Sequence, residues 1–306
     1  MKSYFDGKRA LVVINPIAGK KTAKAQLFDI TDLFSVNGLE TTVYTTRCPG
    51  DATDVVTRRG GNYDVLVIRG GDGTFNEVIN GMMAMPPEKR PLLGYIPAGS
   101  TNDLARTLQI PINSNHEAID VILNGQPLWQ DMGLFNGDTY WCYTASFGAF
   151  VDTSYSTPQK LKNRWGHMAY FAQAPAAVRN IHPIPLKVST AEGLELEGDF
   201  IFCAVSNSTS IAGSIKLSRS LVGLNDGRFE LLLIRYPKSA AELASSVMKV
   251  VAKNFNKDDN VRLLQTRRVE FEFENPEPWT VDGEYAGKHT QVVVENVHNA
   301  VQIFRR

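Results

Sequence analysis

Over roughly the first 125 residues, short apolar runs alternate with helix-period segments; "ALVVI", "TTVYTT", "DVLVI" and "LLGYI" are the clearest of the runs. That alternation predicts buried parallel strands joined by helices, an α/β layer. In residues 22–36, "TAKAQLFDITDLFSV", the positions Ala23, Leu27, Ile30 and Phe34 fall on one helical face, and Gly38 follows as a C-terminal stop. Beyond about residue 130 the period changes from helical to two. In "RVEFEFE", Val269, Phe271 and Phe273 alternate with Glu270, Glu272 and Glu274, so one face is buried and the other wet. The second half therefore reads as a mainly antiparallel, sandwich-like β domain with helical insertions at about 165–179 and 239–253, the latter opening on the capping-box pattern Ser239-Ala-Ala-Glu242. No internal repeat or low-complexity tract is visible. The turn signal at Gly125-Gln126-Pro127 is too compact for a flexible linker, so two domains packed around a cleft are expected, with the boundary at 128/129. Clefts between domains are where ligands usually sit.

Composition narrows the classes. At 306 residues and 43% hydrophobic content the chain can bury two ordinary cores. Lys plus Arg total 32 and Asp plus Glu total 32, so no overall basic field draws the molecule onto nucleic acid, and any contact with an anionic surface must be local. Cys48, Cys142 and Cys203 are odd in number, far apart and without C-x-x-C spacing, which argues against a disulfide framework or a zinc site and fits a reducing cytoplasm. The apolar run near the N-terminus stops at Asn15-Pro16, too short for a signal peptide or a membrane span. A lipid-directed activity would have to reach its membrane from outside.

The candidate chemistry centres on "GGDGTFN", residues 70–76, set between the run "DVLVI" with its following arginine and the helical "EVINGMMAM". Counting from Gly71 and Gly73, the third position of a dinucleotide fingerprint is Asn76, which disfavours a Rossmann dehydrogenase. A Walker loop is disfavoured too, because Ile14 stands where "NPIAGKKT" would need its first glycine and Lys20 is followed by Lys21. What remains is a strand, a glycine turn and a helix N-terminus, an arrangement that suits a bound anion. A plain structural turn is the alternative.

Four elements together, "NPIAGK", "GGDGTFNEVINGM", "PAGSTNDLART" and the late "VDGE", resemble the diacylglycerol kinase catalytic-domain family of soluble bacterial lipid kinases. The resemblance runs over nearly the whole chain in the family's order, although GGDGT alone is shared with NAD kinases and 6-phosphofructokinases. It implies an ATP- and Mg2+-dependent kinase that phosphorylates the hydroxyl of diacylglycerol to give phosphatidic acid. Other lipid alcohols (phosphatidylglycerol, a sphingoid base, an undecaprenyl-type alcohol), NAD, or a non-catalytic nucleotide- or lipid-binding role are the competing readings. The first domain, residues 1–128, would bind the nucleotide, with 293–306 returning to it, and 129–292 would receive the lipid.

Carried onto this chain, the resemblance makes Gly70, Gly71, Asp72, Gly73, Thr74, Phe75 and Asn76 the nucleotide loop, with Asn15, Thr46, Ser100, Asn102 and Asp103 beside it. Glycine permits close backbone approach and φ above zero at such a turn. Asp72 cannot meet phosphate directly without repulsion and is assigned a magnesium-linked role, with a helix N-cap as its alternative. Lys20 stands at a turn near a strand end, where a point charge can meet phosphate or simply be solvated. Ser100, Thr101 and Asn102 are all plausible caps for a helix that would carry Asp103 in its first turn, where the carboxylate could serve the dipole alone. Phosphoryl transfer needs a carboxylate within reach of the attacking hydroxyl, and Glu284 follows the hairpin pair Asp282-Gly283; in the resembling family it is the proposed general base. Asn225-Asp226-Gly227 reads on composition as an ordinary hairpin turn, whereas the resemblance makes Asp226 a magnesium ligand joined by the carbonyls of Gly223 and Arg228, whose residue types would then matter little. Lys162 aligns with a functional lysine of the family. With Lys160, Arg164 and Trp165 it could hold the protein at an anionic membrane surface, or be a solvated helix start. The expected partner is thus a membrane lipid met peripherally at the inner face, with no nucleic acid; a homodimer is admitted, the sequence being silent on it.

Overall fold

The computed structural model describes residues 4–19, 23–149, 181–211, 215–252, 255 and 260–306. The helix expected at about 165–179, together with Lys20, Lys160, Lys162, Arg164 and Trp165, lies outside the described residues. The chain forms two compact units, Met1–Met132 with Asn299–Arg306, and Gly133–His298.

In the first unit, β1 (Arg9–Ile14), β2 (Glu40–Thr45), β3 (Val65–Gly70) and β4 (Leu92–Pro97) run parallel in the order β2-β1-β3-β4. The apolar runs are the sheet's centre: Leu11, Val12 and Val13 of β1 and Val65 to Ile68 of β3 are fully buried. Burial on that scale stabilises by about 1.5–3 kcal/mol per aliphatic side chain. Among the described residues, five α-helices flank the sheet: α1 (Ala23–Val36), α2 (Asp51–Arg59), α3 (Asp72–Met83), α4 (Asp103–Thr107) and α5 (Asn115–Asn124). Ile30 and Phe34 of α1 are fully buried, as the helical period predicts. The helix stops at Gly38, whose φ is +82°, while the Leu39 N–H donates to the Phe34 carbonyl at 3.0 Å. α3 packs its backbone directly on α2, because a Cβ at Gly81 would stand 2.6 Å from the Thr53 carbonyl oxygen. The Arg90 guanidinium donates to the Ala300 carbonyl at 2.9 Å, and Ile303 pairs with Leu93 of β4 in parallel, so residues near 300 complete this unit.

The second unit is antiparallel. After β5 (Gln126–Phe135), which starts at the turn signal and belongs to both units, come β6 (Thr139–Trp141), β7 (Thr144–Gly148), β8 (Ile184–Thr190) and β9 (Glu195–Ser206). There follow β10 (Ser210–Ile211), β11 (Ile215–Lys216), β12 (Phe229–Arg235), helix α6 (Ala240–Val251), β13 (Val261–Thr266), β14 (Arg268–Val281) and β15 (Glu284–Arg305). β7 and β8 pair with successive stretches of the same two long strands, β9 and β14, so the sheet divides over one core. That core takes the alternating residues Val269, Phe271 and Phe273. It is rich in aromatic rings: Trp279 lies 4.8 Å from Phe147 and 5.2 Å from Phe271, and Trp141 lies 4.7 Å from Phe229. α6 is capped as expected at Ser239, which accepts the Glu242 N–H at 3.2 Å; Glu242 in turn reaches the Lys238 N–H, one residue further back than the capping box implies.

Candidate active site

In the first unit the order of the parallel strands reverses between β1 and β3, and their carboxyl ends are where such sheets bind ligands. The turns leaving β1, β3 and β4 are tied together there. The Asn15 N–H donates to the Arg69 carbonyl at 2.9 Å, and the Asn15 side chain reaches the Thr74 hydroxyl at 3.1 Å. The Ala98 N–H donates to the Gly70 carbonyl at 2.7 Å, and a Cβ at Gly19, were there one, would stand 3.0 Å from the Ala98 carbonyl oxygen. The Asp103 N–H donates to Asp72 at 3.2 Å. Thr46 joins through its hydroxyl, 3.3 Å from the Ile14 carbonyl. Its turn is fastened by buried Asp51, which accepts from the Tyr44 hydroxyl and from the backbone and guanidinium of Arg47. Those bonds, the Arg47 guanidinium first, hold the Asp51 carboxyl well below the usual carboxylate range.

The glycines are needed for space and not for torsion. Gly71 has φ −92°, and neither Gly70 nor Gly73 is in the left-handed region, which corrects the expectation of φ above zero. A Cβ on Gly70 would meet the Thr74 side chain at 2.6 Å, and one on Gly71 would press on the Gly99 Cα at 3.1 Å. Gly73 differs: a Cβ there meets nothing within 4 Å. No neighbour in the fold requires glycine at 73, which sits in the first turn of α3, where glycine is a poor helix former. Among the described residues nothing fills the space at Gly73, and the helix N-terminus there has no side-chain cap, an arrangement that suits a bound anion.

The helix begins earlier than a glycine loop running to residue 76 would allow: Gly70 closes β3, Gly71 is the N-cap, and Asp72 to Asn76 are already helical. Phe75 is fully buried, its ring 4.9 Å from that of Tyr95, and its N–H donates to Gly71, so it fastens the helix from the core side. Asn102 is the cap of α4 in the left-handed conformation, φ +52°, and its side chain exchanges two hydrogen bonds with the Gly99 backbone. Asp103 stands in the first turn as expected; burial raises its carboxyl above the ordinary value, and Arg106 opposes this. Ser100 is exposed at the same turn.

In the second unit, Asp282 and Gly283 have φ +48° and +81°, the primed turn that an Asp-Gly pair favours, and Glu284 pairs across it with Val281. Glu284 is exposed at the strand start, while Asp282 is buried and accepts the backbone N–H groups of Cys142, Tyr143 and Thr144 at 2.7, 2.9 and 3.1 Å. The turn at 225–227 is not a hairpin. Gly227 has φ +75°, the Arg228 N–H folds back onto Asp226 at 3.0 Å, and the strand that follows pairs with β9 and β13. The residue type at 223 also proves to matter, because any side chain there would overlap the Asp226 carboxylate.

Two family models divide the chain. Residues 9–135 match the diacylglycerol kinase catalytic domain, and 147–305 match the YegS C-terminal NAD kinase beta sandwich-like domain. A diacylglycerol kinase of Bacillus subtilis strain 168 is 32% identical over 281 residues, covering 92% of this chain and 91% of the relative. The chain belongs to the diacylglycerol kinase family. Diacylglycerol kinases of Staphylococcus saprophyticus and of Staphylococcus aureus strain JH9 are 33% and 34% identical over 282 residues, covering 92% of this chain and 90% and 87% of theirs. Among solved structures, that of a putative diacylglycerol kinase from Bacillus anthracis str. Sterne superposes with a TM-score of 0.81 at 22% identity over 98% of this chain and 95% of its own, a likeness of fold.

As a member of the diacylglycerol kinase family the chain is a kinase, and the α/β unit with its glycine turn and the β-sandwich-like unit are the family's two domains. No helix among the described residues is long and apolar enough to cross a membrane. Two contributors escaped the sequence reading. Gly99 was visible only as half of "AGS", and the anchoring role of Asp282 depends on residues about 140 positions away.

Proposed function

We propose that this kinase transfers the γ-phosphoryl group of ATP to the hydroxyl of diacylglycerol, giving phosphatidic acid and ADP. The open space at Gly73, at the uncapped start of α3, carries the reading. The amides of that first turn receive the phosphate chain, with Asn15, Thr46, Ser100 and Asn102 shaping the turns around the nucleotide and Lys20 adding a point charge. The acceptor oxygen attacks the γ-phosphorus, the bond to the β–γ bridging oxygen breaks, and Glu284 takes the hydroxyl proton.

Magnesium, when bound, would neutralise charge on the phosphates, and Asp72 and Asp103, joined by the Asp103 N–H on the Asp72 carboxylate, are the candidates to hold it. A second cation suits the turn of Gly223, Asp226 and Arg228, since the Asp226 carboxylate lies against the backbone of both neighbours and oxygen donors fit a hard cation. The enzyme works at the inner face of the membrane by peripheral contact, and Lys162, which lies outside the described residues, is the candidate for binding anionic lipid. Transfer of labelled γ-phosphate to mixed micelles of diacylglycerol tests the reading. The parent yields phosphatidic acid, and Glu284→Gln loses about 10² to 10⁴ in rate with nucleotide affinity unchanged. A parent that binds ATP but labels a different lipid alcohol, or NAD, would replace the acceptor.

A further inference from the structure

Arg69 is the penultimate residue of β3, directly ahead of Gly70, and closes a run of fully buried aliphatic residues. Its side chain is 1% exposed. Nε donates to the Gln26 side-chain oxygen at 3.0 Å, and Nη2 donates to that same oxygen, so one neutral acceptor in the first turn of α1 takes two of its donors. Nη1 is buried with no hydrogen-bond partner among the described residues. Burial alone perturbs the guanidinium, lowering its pKa, and no carboxylate contributes. An arginine stays charged even so. A buried cation without an anion is expensive, and a fold tolerates one where something else gains from it.

Its surroundings indicate what gains. The Arg69 carbonyl takes the Asn15 N–H and the Gly70 carbonyl takes the Ala98 N–H, so the backbone bearing this charge is the backbone that joins the three strand-end turns. The guanidinium lies against the first turn of α1, whose dipole adds positive potential on that side. A fixed charge in low dielectric acts over longer distances than the same charge in water and is screened less by salt.

We propose that Arg69 is a positioning charge for the donor's polyphosphate, its buried, anion-free guanidinium, carried by the residue directly ahead of the glycine turn, raising affinity in proportion to ligand charge without solvent-exposed contact. The proposal rests on the reading of the first unit as the nucleotide site, and it concerns the phosphates alone, whatever acceptor is used.

The test measures binding of ATP, ADP, adenosine and inorganic tripolyphosphate to the whole chain by calorimetry and thermal shift, for the parent, Arg69→Met and Arg69→Lys. Arg69→Met is expected to weaken ATP and tripolyphosphate by about tenfold or more, ADP by less and adenosine not at all, with apo melting unchanged or raised. Arg69→Lys, which keeps the charge, restores most of the loss. Equal weakening of all four ligands, no weakening, a loss that Lys does not rescue, or a parent that fails to bind tripolyphosphate overturns the proposal. Failure of the kinase reading would show separately, as charge-graded, Arg69-dependent binding with no phosphorylated lipid.

Discussion

Asp282 holds Thr144 from both sides: its carboxylate accepts the Thr144 N–H at 3.1 Å, and its own N–H donates to the Thr144 carbonyl at 2.8 Å. With Cys142 and Tyr143 bound to the same carboxylate, the turn that presents Glu284 is fastened to the start of β7 by a charged group 6% exposed. Asp282→Ala strands three backbone donors and is expected to cost about 3 kcal/mol in denaturant unfolding. Asp282→Asn keeps the size and part of the bonding, so it retains the fold and loses rate while nucleotide affinity stays near the parent's. Equal rates for Asp282→Asn and the parent would show that the turn needs no charged anchor.

Gly73→Ala and Gly71→Ala separate two reasons for glycine. At 73 the methyl enters open space on a helix, so the apo protein gains about 0.5–1 kcal/mol while nucleotide binding weakens. At 71 the methyl presses on Gly99, so stability and binding fall together. Paired thermal melts with and without ATP distinguish the two; a Gly73→Ala chain that binds ATP as the parent does would remove the ligand's claim on that space.

Glu230 on β12 is 1% exposed, and burial first, with a smaller contribution from the charge of Asp226, pushes its carboxyl up to about 8, against the opposing hydrogen bond from Gln265. Its folded value lies above the ordinary 4.5, so the native state binds the extra proton. The stability this contributes is fully present below the unfolded value and is lost as pH rises through the folded one. Unfolding free energy should therefore fall by roughly a few kcal/mol between about pH 5 and 9 through this group. Glu230→Gln should flatten that slope in pH-dependent urea melts, with the gain over the parent growing toward alkaline pH.

Gly223→Ala displaces the exposed Asp226 carboxylate from its bond with the Arg228 N–H, so the fold loses about 1 kcal/mol. Thermal stabilisation by added Mg2+ should shrink both in Gly223→Ala and in Asp226→Asn. Undiminished stabilisation in both would place the cation elsewhere.

The strands of the first unit and helix α1 were legible because buried runs and one apolar helical face are local patterns, and Ile30, Phe34 and Gly38 behave as their spacing requires. Glycine chemistry was legible only as the presence of glycine. Whether Gly71 answered to torsion or to space depended on Gly99, a residue of another turn. The turn at 225–227 carries the composition of a hairpin, yet its strand partners come from distant sequence, and no local signal encodes them. For the same reason a lone arginine after "DVLVI" said nothing of Gln26, 43 residues earlier.

The return of residues near 300 to the first unit also sets a timetable. The Arg90 guanidinium waits for the carbonyl of Ala300, made 210 residues later, and the edge of β4 waits for Ile303. A nascent chain that has already synthesised every strand-end turn of the first unit still lacks the edge that seals its sheet, so closure is deferred until the second unit has left the ribosome. Chains halted within the second unit would leave that edge of β4 unpaired.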